Sequence, residues 1–291
     1  MEEKEVSPRG LSGKDGLLDM RSDAKAPLKE FLMAVLLCLL QVPAAASEPV
    51  AVDRETLYQT ALLQSLMLGE YDGSVSIAEV KRLGDTGIGT FDRLNGELVM
   101  LDGHVYQALS DGTIAEPPDT VTVPFSCVTF FEADYTQELK DVAGINGLKA
   151  ELDKVVREHG ANHFYMARID GLFRMVHVRS EYAQEKPYRP LDKVMAHDQT
   201  FFVHKDIEGT VVALYCPDYM KGLNVPGWHF HFISKDRRFG GHLLDVRLDR
   251  AVAGFDQTTG FSMSLPASDS FQKLPLTKDL DKAIRKVESD G

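Results

Sequence analysis

The chain is poor in cysteine, with three in 291 residues, and only Cys127 and Cys216 fall after residue 46. Neither belongs to a CxxC pair, which excludes a thiolate metal site and a dithiol redox motif. Isolated in apolar surroundings, they read as buried free thiols. Positive charge is scarce as well: 32 Lys and Arg stand against 44 Asp and Glu, a formal net charge of −12. A phosphate backbone needs a basic surface, so nucleic acid is not an expected partner, although one local arginine suffices for a small anion. The glycine-rich run Gly84-Asp-Thr-Gly-Ile-Gly-Thr90 has neither a GKS or GKT ending nor GxGxxG spacing. It therefore reads as tight backbone turns and not as a phosphate loop.

Long hydrophobic runs are missing too. The apolar stretch Phe31 to Leu40 is too short to span a bilayer comfortably. Lys25 and Lys29 precede it, and Pro43-Ala-Ala-Ala46 supplies small residues of the A-x-A kind. Residues 1–46 thus read as a signal or targeting segment, cleaved near Ala46, which makes the mature chain an exported protein with no stable membrane span. A cytoplasmic protein, or one anchored through an uncleaved N-terminus, is the alternative.

What the sequence does contain gathers around Gly227-Trp-His-Phe-His-Phe232, followed by Gly240-Gly-His242. On a strand, side chains two apart share a face, so His229 and His231 point one way while Trp228, Phe230 and Phe232 point the other. The polar segment Ser234 to Phe239 has hairpin length and would bring His242 back alongside. Three neutral imidazoles around an open position match a catalytic zinc site, whereas a structural site would use a fourth protein ligand. Packing inside an aromatic strand is the plainer reading of an HxH pair.

Elsewhere the chain alternates short strand-like runs with turn signals. Asp53 can cap a helix through Leu57, Ala61, Leu66 and Met67. Asn95-Gly96 and Asp102-Gly103 mark hairpins, which places Glu97 at a hairpin edge, where a carboxylate is ordinarily solvated. Gly147 to His159 has amphipathic helical spacing. Phe164–Ile169 and Leu172–Arg179 read as strands joined at Asp170-Gly171, with Phe173, Met175, His177 and Arg179 on one face. Arg179 is then either a rim residue or an anion clamp. Residues 187–197 read as a linker with a short helix, and the tail from Thr277 to Glu288 as a terminal helix. The expected fold is α/β (α+β): mixed and antiparallel sheets with few helices. It falls in two halves, residues 47–190 and residues 191–291, the second carrying the histidine hairpin.

The ordered set Gly87-Ile-Gly-Thr-Phe-Asp-Arg-Leu-Asn-Gly-Glu-Leu98, Arg168-Ile-Asp-Gly-Leu-Phe173, Glu185-Lys-Pro-Tyr188, GWHFHFIS and GGHLLD resembles the bacterial α-acetolactate decarboxylases from about residue 53 to 291. The resemblance implies a zinc ion (Zn2+) on His229, His231 and His242, site carboxylates at Glu97 and Glu288, a substrate-binding arginine at Arg179 and a substrate-contacting threonine at Thr90. It also implies a homodimer and conversion of (S)-2-acetolactate to (R)-acetoin and carbon dioxide, in acetoin and butanediol biosynthesis. Two other functions use the same residues: a cupin-like metal-dependent oxygenase or isomerase, or a non-catalytic exported protein that binds a metal or carboxylate. The glutamate that cupins place after the pair, with three or four residues intervening, is replaced here by Lys235 and Asp236.

Overall fold

Short runs of β-branched and aromatic residues, cut by Gly, Asn and Asp, build most of the molecule. The computed structural model describes residues 52–289; the expected targeting segment lies outside them. In chain order the first elements are β1 (Thr56–Thr60), α1 (Leu63–Met67), β2 (Val75–Ser76), α2 (Ile77–Leu83), β3 (Thr86–Thr90), β4 (Glu97–Leu101), β5 (His104–Ala108), β6 (Ile114–Ala115), β7 (Thr122–Val123) and β8 (Phe125–Thr129). There follow β9 (Tyr135–Ala143), α3 (Ile145–His159), β10 (Phe164–Glu181), α4 (Leu191–Val194), β11 (Gln199–Cys216), β12 (Gly227–Ser234), β13 (Gly240–Thr258), β14 (Gly260–Ser264), α5 (Asp269–Gln272) and α6 (Asp281–Ser289).

Two sheets carry the fold, as the α+β expectation had it. The first runs β14-β1-β8-β3-β4-β5-β6, antiparallel except for the parallel β1–β14 pair. The second runs β10-β11-β12-β13-β9, and β10 also pairs with β13 along its length. Strands β10, β11, β12 and β13 therefore close into a ring. Its interior is filled by one cluster that includes Ile169, Phe173, Val178, Phe230, Phe232 and Val246, and α3 adds Leu148, Leu152, Val155 and Val156 to it. The opposite side chains of the same strands, Met166, Val212, Leu214 and Ile233, pack on Ile88, Val99, Leu101 and Cys127 of the first sheet. The outer face of that first sheet is covered by Ile77 and Val80 of α2, against Leu98, Met100 and Val128.

Tertiary pairing overrides several local signals. The segment after Asp53 is strand and not helix up to Thr60, because β1 is held between β8 and β14. Asp53 accepts hydrogen bonds from the Glu55 amide and the Thr56 hydroxyl instead of capping a helix. A left-handed Ala61 (φ 55°) separates β1 from the single turn of α1. Residues Thr86–Thr90 are a buried strand, not a turn. A Cβ at Gly87 would stand 2.2 Å from the Cys127 carbonyl oxygen, so the glycines serve the close approach of β3 to β8. Asp170-Gly171 makes no hairpin: both residues lie mid-strand in β10, paired with β11 on one side and β13 on the other.

The two sheets do not divide at residue 190. The second takes β9 and β10 from before that point and β11, β12 and β13 from after it, while β14 returns to pair with β1. The described residues all belong to one compact unit. Cys127 and Cys216 are buried free thiols; burial raises the pKa of Cys127 to about 12.

Candidate metal centre

Strand alternation places the histidines where the sheets meet. On β12, Trp228, Phe230 and Phe232 enter the ring interior, so His229 and His231 face the first sheet. The return loop sets the register. Ser234 and Phe239 pair through the Ser234 amide and the Phe239 carbonyl at 2.8 Å, and the Ser234 hydroxyl accepts from the amides of Arg238 and Phe239. With the loop so closed, His242 stands directly opposite His231.

The glycine before it completes the arrangement. Gly241 has φ 146°, and a Cβ there would lie 2.4 Å from the Arg179 carbonyl oxygen. Only glycine lets β13 approach β10 this closely, and Arg179 thereby comes into register with His242. The face expected for Arg179 is corrected by a bulge in β10, where Phe173 and Met175 pair with the adjacent Leu248 and Arg247 of β13. It shifts the phase, so Phe173 shares the ring interior with Val176 and Val178 while Arg179 turns toward the histidines.

The three rings have centroids 5.1, 4.8 and 5.4 Å apart, and their ligand atoms lie within 4.8 Å of one another. His229 Nε2 is 3.1 Å from His242 Nδ1. His231 Nδ1 lies 2.8 Å from the Leu98 carbonyl oxygen; the carbonyl only accepts, so Nδ1 carries the hydrogen and Nε2 holds a lone pair. That Nε2 is buried and makes no hydrogen bond. An orphaned imidazole lone pair beside two more imidazoles is the donor set that suits a zinc-like divalent ion, with the Leu98 carbonyl fixing the tautomer.

Burial drives all three pKa values down. His229 falls to about 3, with the Arg179 and Lys149 charges adding to the desolvation. His231 and His242 lie well below the ordinary value, chiefly through burial, with Arg179 and their neighbouring histidines adding to it. The rings are therefore neutral at pH 7, the form that ligates a metal.

Glu97 and Thr90 come from the first sheet. On β4, Glu97 shares the inward face with Val99 and Leu101, and it is only 6% exposed. The hairpin-edge position is covered by the second sheet, which is why the carboxylate is not solvated. Its Oε2 lies 3.4 Å from His231 Nε2, and its Oε1 4.0 Å from His242 Nδ1. The Thr90 hydroxyl donates to the Gly96 carbonyl at 2.8 Å, satisfying the turn while the residue lines the site. Thr90, Glu97, Arg179 and the three histidines all line one small cavity of about 40 Å³, walled by Leu63, Leu66, Phe125 and Met195. On their other side His229 and His242 border an open cleft of about 870 Å³ that Lys149 and Trp228 also line.

Two features escape the sequence reading. Glu181, 3% exposed, lines the same cavity with its Oε1 3.7 Å from Arg179 Nε. Its spacing of two from Arg179 on a strand is the signal that finds it. Met195, beyond α4, closes the wall. Glu288 falls on α6, whose Val287 reaches the cavity, but its side chain lies outside the described residues.

Residues 57–278 match the family model for alpha-acetolactate decarboxylase. The alpha-acetolactate decarboxylase of Methanosarcina mazei is 41% identical over 234 residues, covering 80% of each chain. That of Bacillus licheniformis is 35% identical over 245 residues, covering 84% of this chain and 95% of its own. The crystal structure of alpha-acetolactate decarboxylase from Bacillus subtilis strain 168 superposes with a TM-score of 0.77 at 34% identity, covering 81% of this chain and 100% of that one. A family match over most of the chain, relatives above 30% identity along four fifths or more of their length and a shared fold agree with one another: this protein belongs to the alpha-acetolactate decarboxylase family of carboxy-lyases.

Proposed function

We propose that the protein converts (S)-2-acetolactate to (R)-acetoin and carbon dioxide, using zinc held by His229, His231 and His242. The observation that carries this reading is the meeting of three neutral imidazoles, a buried guanidinium and a buried carboxylate in one cavity.

Acetolactate carries its carboxylate on a carbon that bears a hydroxyl and adjoins a ketone. Breaking the bond to the carboxylate leaves an electron pair that moves toward the ketone oxygen. A divalent ion on the three histidines supplies a Lewis acid for the oxygens where this charge develops. The protein's own groups do the rest. The planar fork of Arg179 matches the substrate carboxylate and orients the bond to be broken. Glu97 or Glu288, as the carboxylic acid, delivers a proton to the carbon that carbon dioxide has left, and the side of delivery decides the handedness of acetoin. Leu63, Leu66, Phe125 and Met195 exclude water, which strengthens each electrostatic contact inside.

The test is acetoin formation from acetolactate by purified protein lacking residues 1–46, with metal content measured on the same sample. Chelation abolishes activity and added zinc restores it. Activity that survives both chelation and His229→Ala refutes the proposal. Export with cleavage near Ala46 is part of the same reading, and the N-terminal sequence of protein recovered outside the cytoplasm checks it.

A further inference from the structure

We propose that Glu181 is a positioning residue that holds Arg179 in place as the carboxylate-binding group of the cavity. The proposal rests on the function given above. Arg179 and Glu181 stand two apart on β10, so their side chains leave the strand on the same side, and both reach the cavity of the three histidines. They are 2% and 3% exposed, with Glu181 Oε1 3.7 Å from Arg179 Nε.

A charge removed this far from water requires an opposite charge nearby, and each of these two supplies it for the other. Among the described residues, the two cavity carboxylates divide the work by position. Glu97 stands against the nitrogens of His231 and His242, whereas Glu181 stands against the guanidinium. A guanidinium has five N–H donors in a rigid fork, so it can keep a protein carboxylate at its Nε side and still take a ligand carboxylate. An arginine side chain without such a partner would lose the geometry that binding depends on.

The chemistry predicts where the effect appears. As the carbon–carbon bond breaks, charge leaves the carboxylate and carbon dioxide departs neutral. The grip of Arg179 is therefore strongest on the intact substrate, and loosening it acts on KM more than on kcat.

The experiment titrates zinc-loaded wild type and Glu181→Gln by calorimetry with two ligands. The first, 2-hydroxy-2-methylbutanoate, keeps the carboxylate and hydroxyl but has no ketone to accept electrons. The second, acetoin, lacks the carboxylate. Glu181→Gln is expected to bind the acid roughly ten- to a hundredfold more weakly, to bind acetoin like wild type and to keep its zinc. In turnover, KM for acetolactate rises by the same factor while kcat changes far less. On an Arg179→Met background the Glu181→Gln change adds no further loss, since its route is through Arg179. Unchanged acid affinity, or an equal loss for acid and acetoin, overturns the proposal. Should Glu181→Gln not fold, Glu181→Asp decides in its place: the carboxylate set back by one methylene weakens acid binding alone, and wild-type affinity overturns. A wild type that forms no acetoin refutes the proposed function, while the acid titration still judges Glu181 separately.

Discussion

The two faces of β12 make an instructive pair. One backbone sends Trp228, Phe230 and Phe232 into the apolar interior of the ring and sends His229 and His231 into the cavity between the sheets. Both faces are buried, yet only one is stabilised by burial. Aromatic side chains gain free energy when they leave water, and the imidazoles lose the option of being charged. The aromatic face stabilises the strand that the histidine face needs. The fold therefore carries its chemistry on the less favourable side of a strand anchored from the other.

That contrast can be broken from either side. The largest effect on activity is expected from His231→Ala, which removes one of the three ligands: bound zinc and acetoin formation both fall to background. Metal-free stability changes by only about 1 kcal/mol, the worth of the lost hydrogen bond to the Leu98 carbonyl. Metal analysis and denaturant unfolding of the same protein check both halves. Phe232→Ala, on the opposite face, reverses the pattern. It should cost about 3–5 kcal/mol of stability, read as a lower denaturant midpoint, while the protein that remains folded still binds zinc.

A third, intermediate effect separates the faces by pH. In metal-free protein the folded pKa of His229, about 3, lies below the unfolded value, so the unfolded chain takes up a proton first as pH falls. Stability is then fully present above about pH 6.5 and declines as the pH falls from there toward 3. Unfolding midpoints measured across that range should show a shallower decline for His229→Ala. The smallest effect is expected at the rim of the aromatic face, where Trp228 Nε1 donates to Asp153 at 2.9 Å. Trp228→Phe keeps the ring burial and loses this bond, for about 1 kcal/mol, with no change in zinc content.

How far the residues themselves reveal the site varies with the kind of geometry involved. Alternation within β12 and a hairpin-length loop are local properties, so the convergence of His229, His231 and His242 is legible directly. Arg179 is harder. Counting by twos from Phe173 places both on one face, and the bulge in β10 between Phe173 and Met175 puts them on opposite faces. Bulges answer to the partner strand, and no pattern within Phe164–Glu181 announces them. Glu97 reads as a solvated hairpin residue for a similar reason, since its local sequence says nothing about the second sheet lying over it. The glycines of Thr86–Thr90 mark close contact with β8, although glycine-rich sequence ordinarily marks a turn.

The sequence by itself determined the histidine hairpin, the exclusion of thiolate and phosphate-loop chemistry, the α+β class and the resemblance to one decarboxylase family. These rest on spacing and composition, which are properties of neighbours along the chain. Only the tertiary structure decided that Arg179 turns toward the histidines, that Glu97 is buried beside them and that Glu181 stands against the guanidinium. Each of those depends on which strand lies alongside or above, and pairing between strands far apart in the chain is set by the packing of whole sheets.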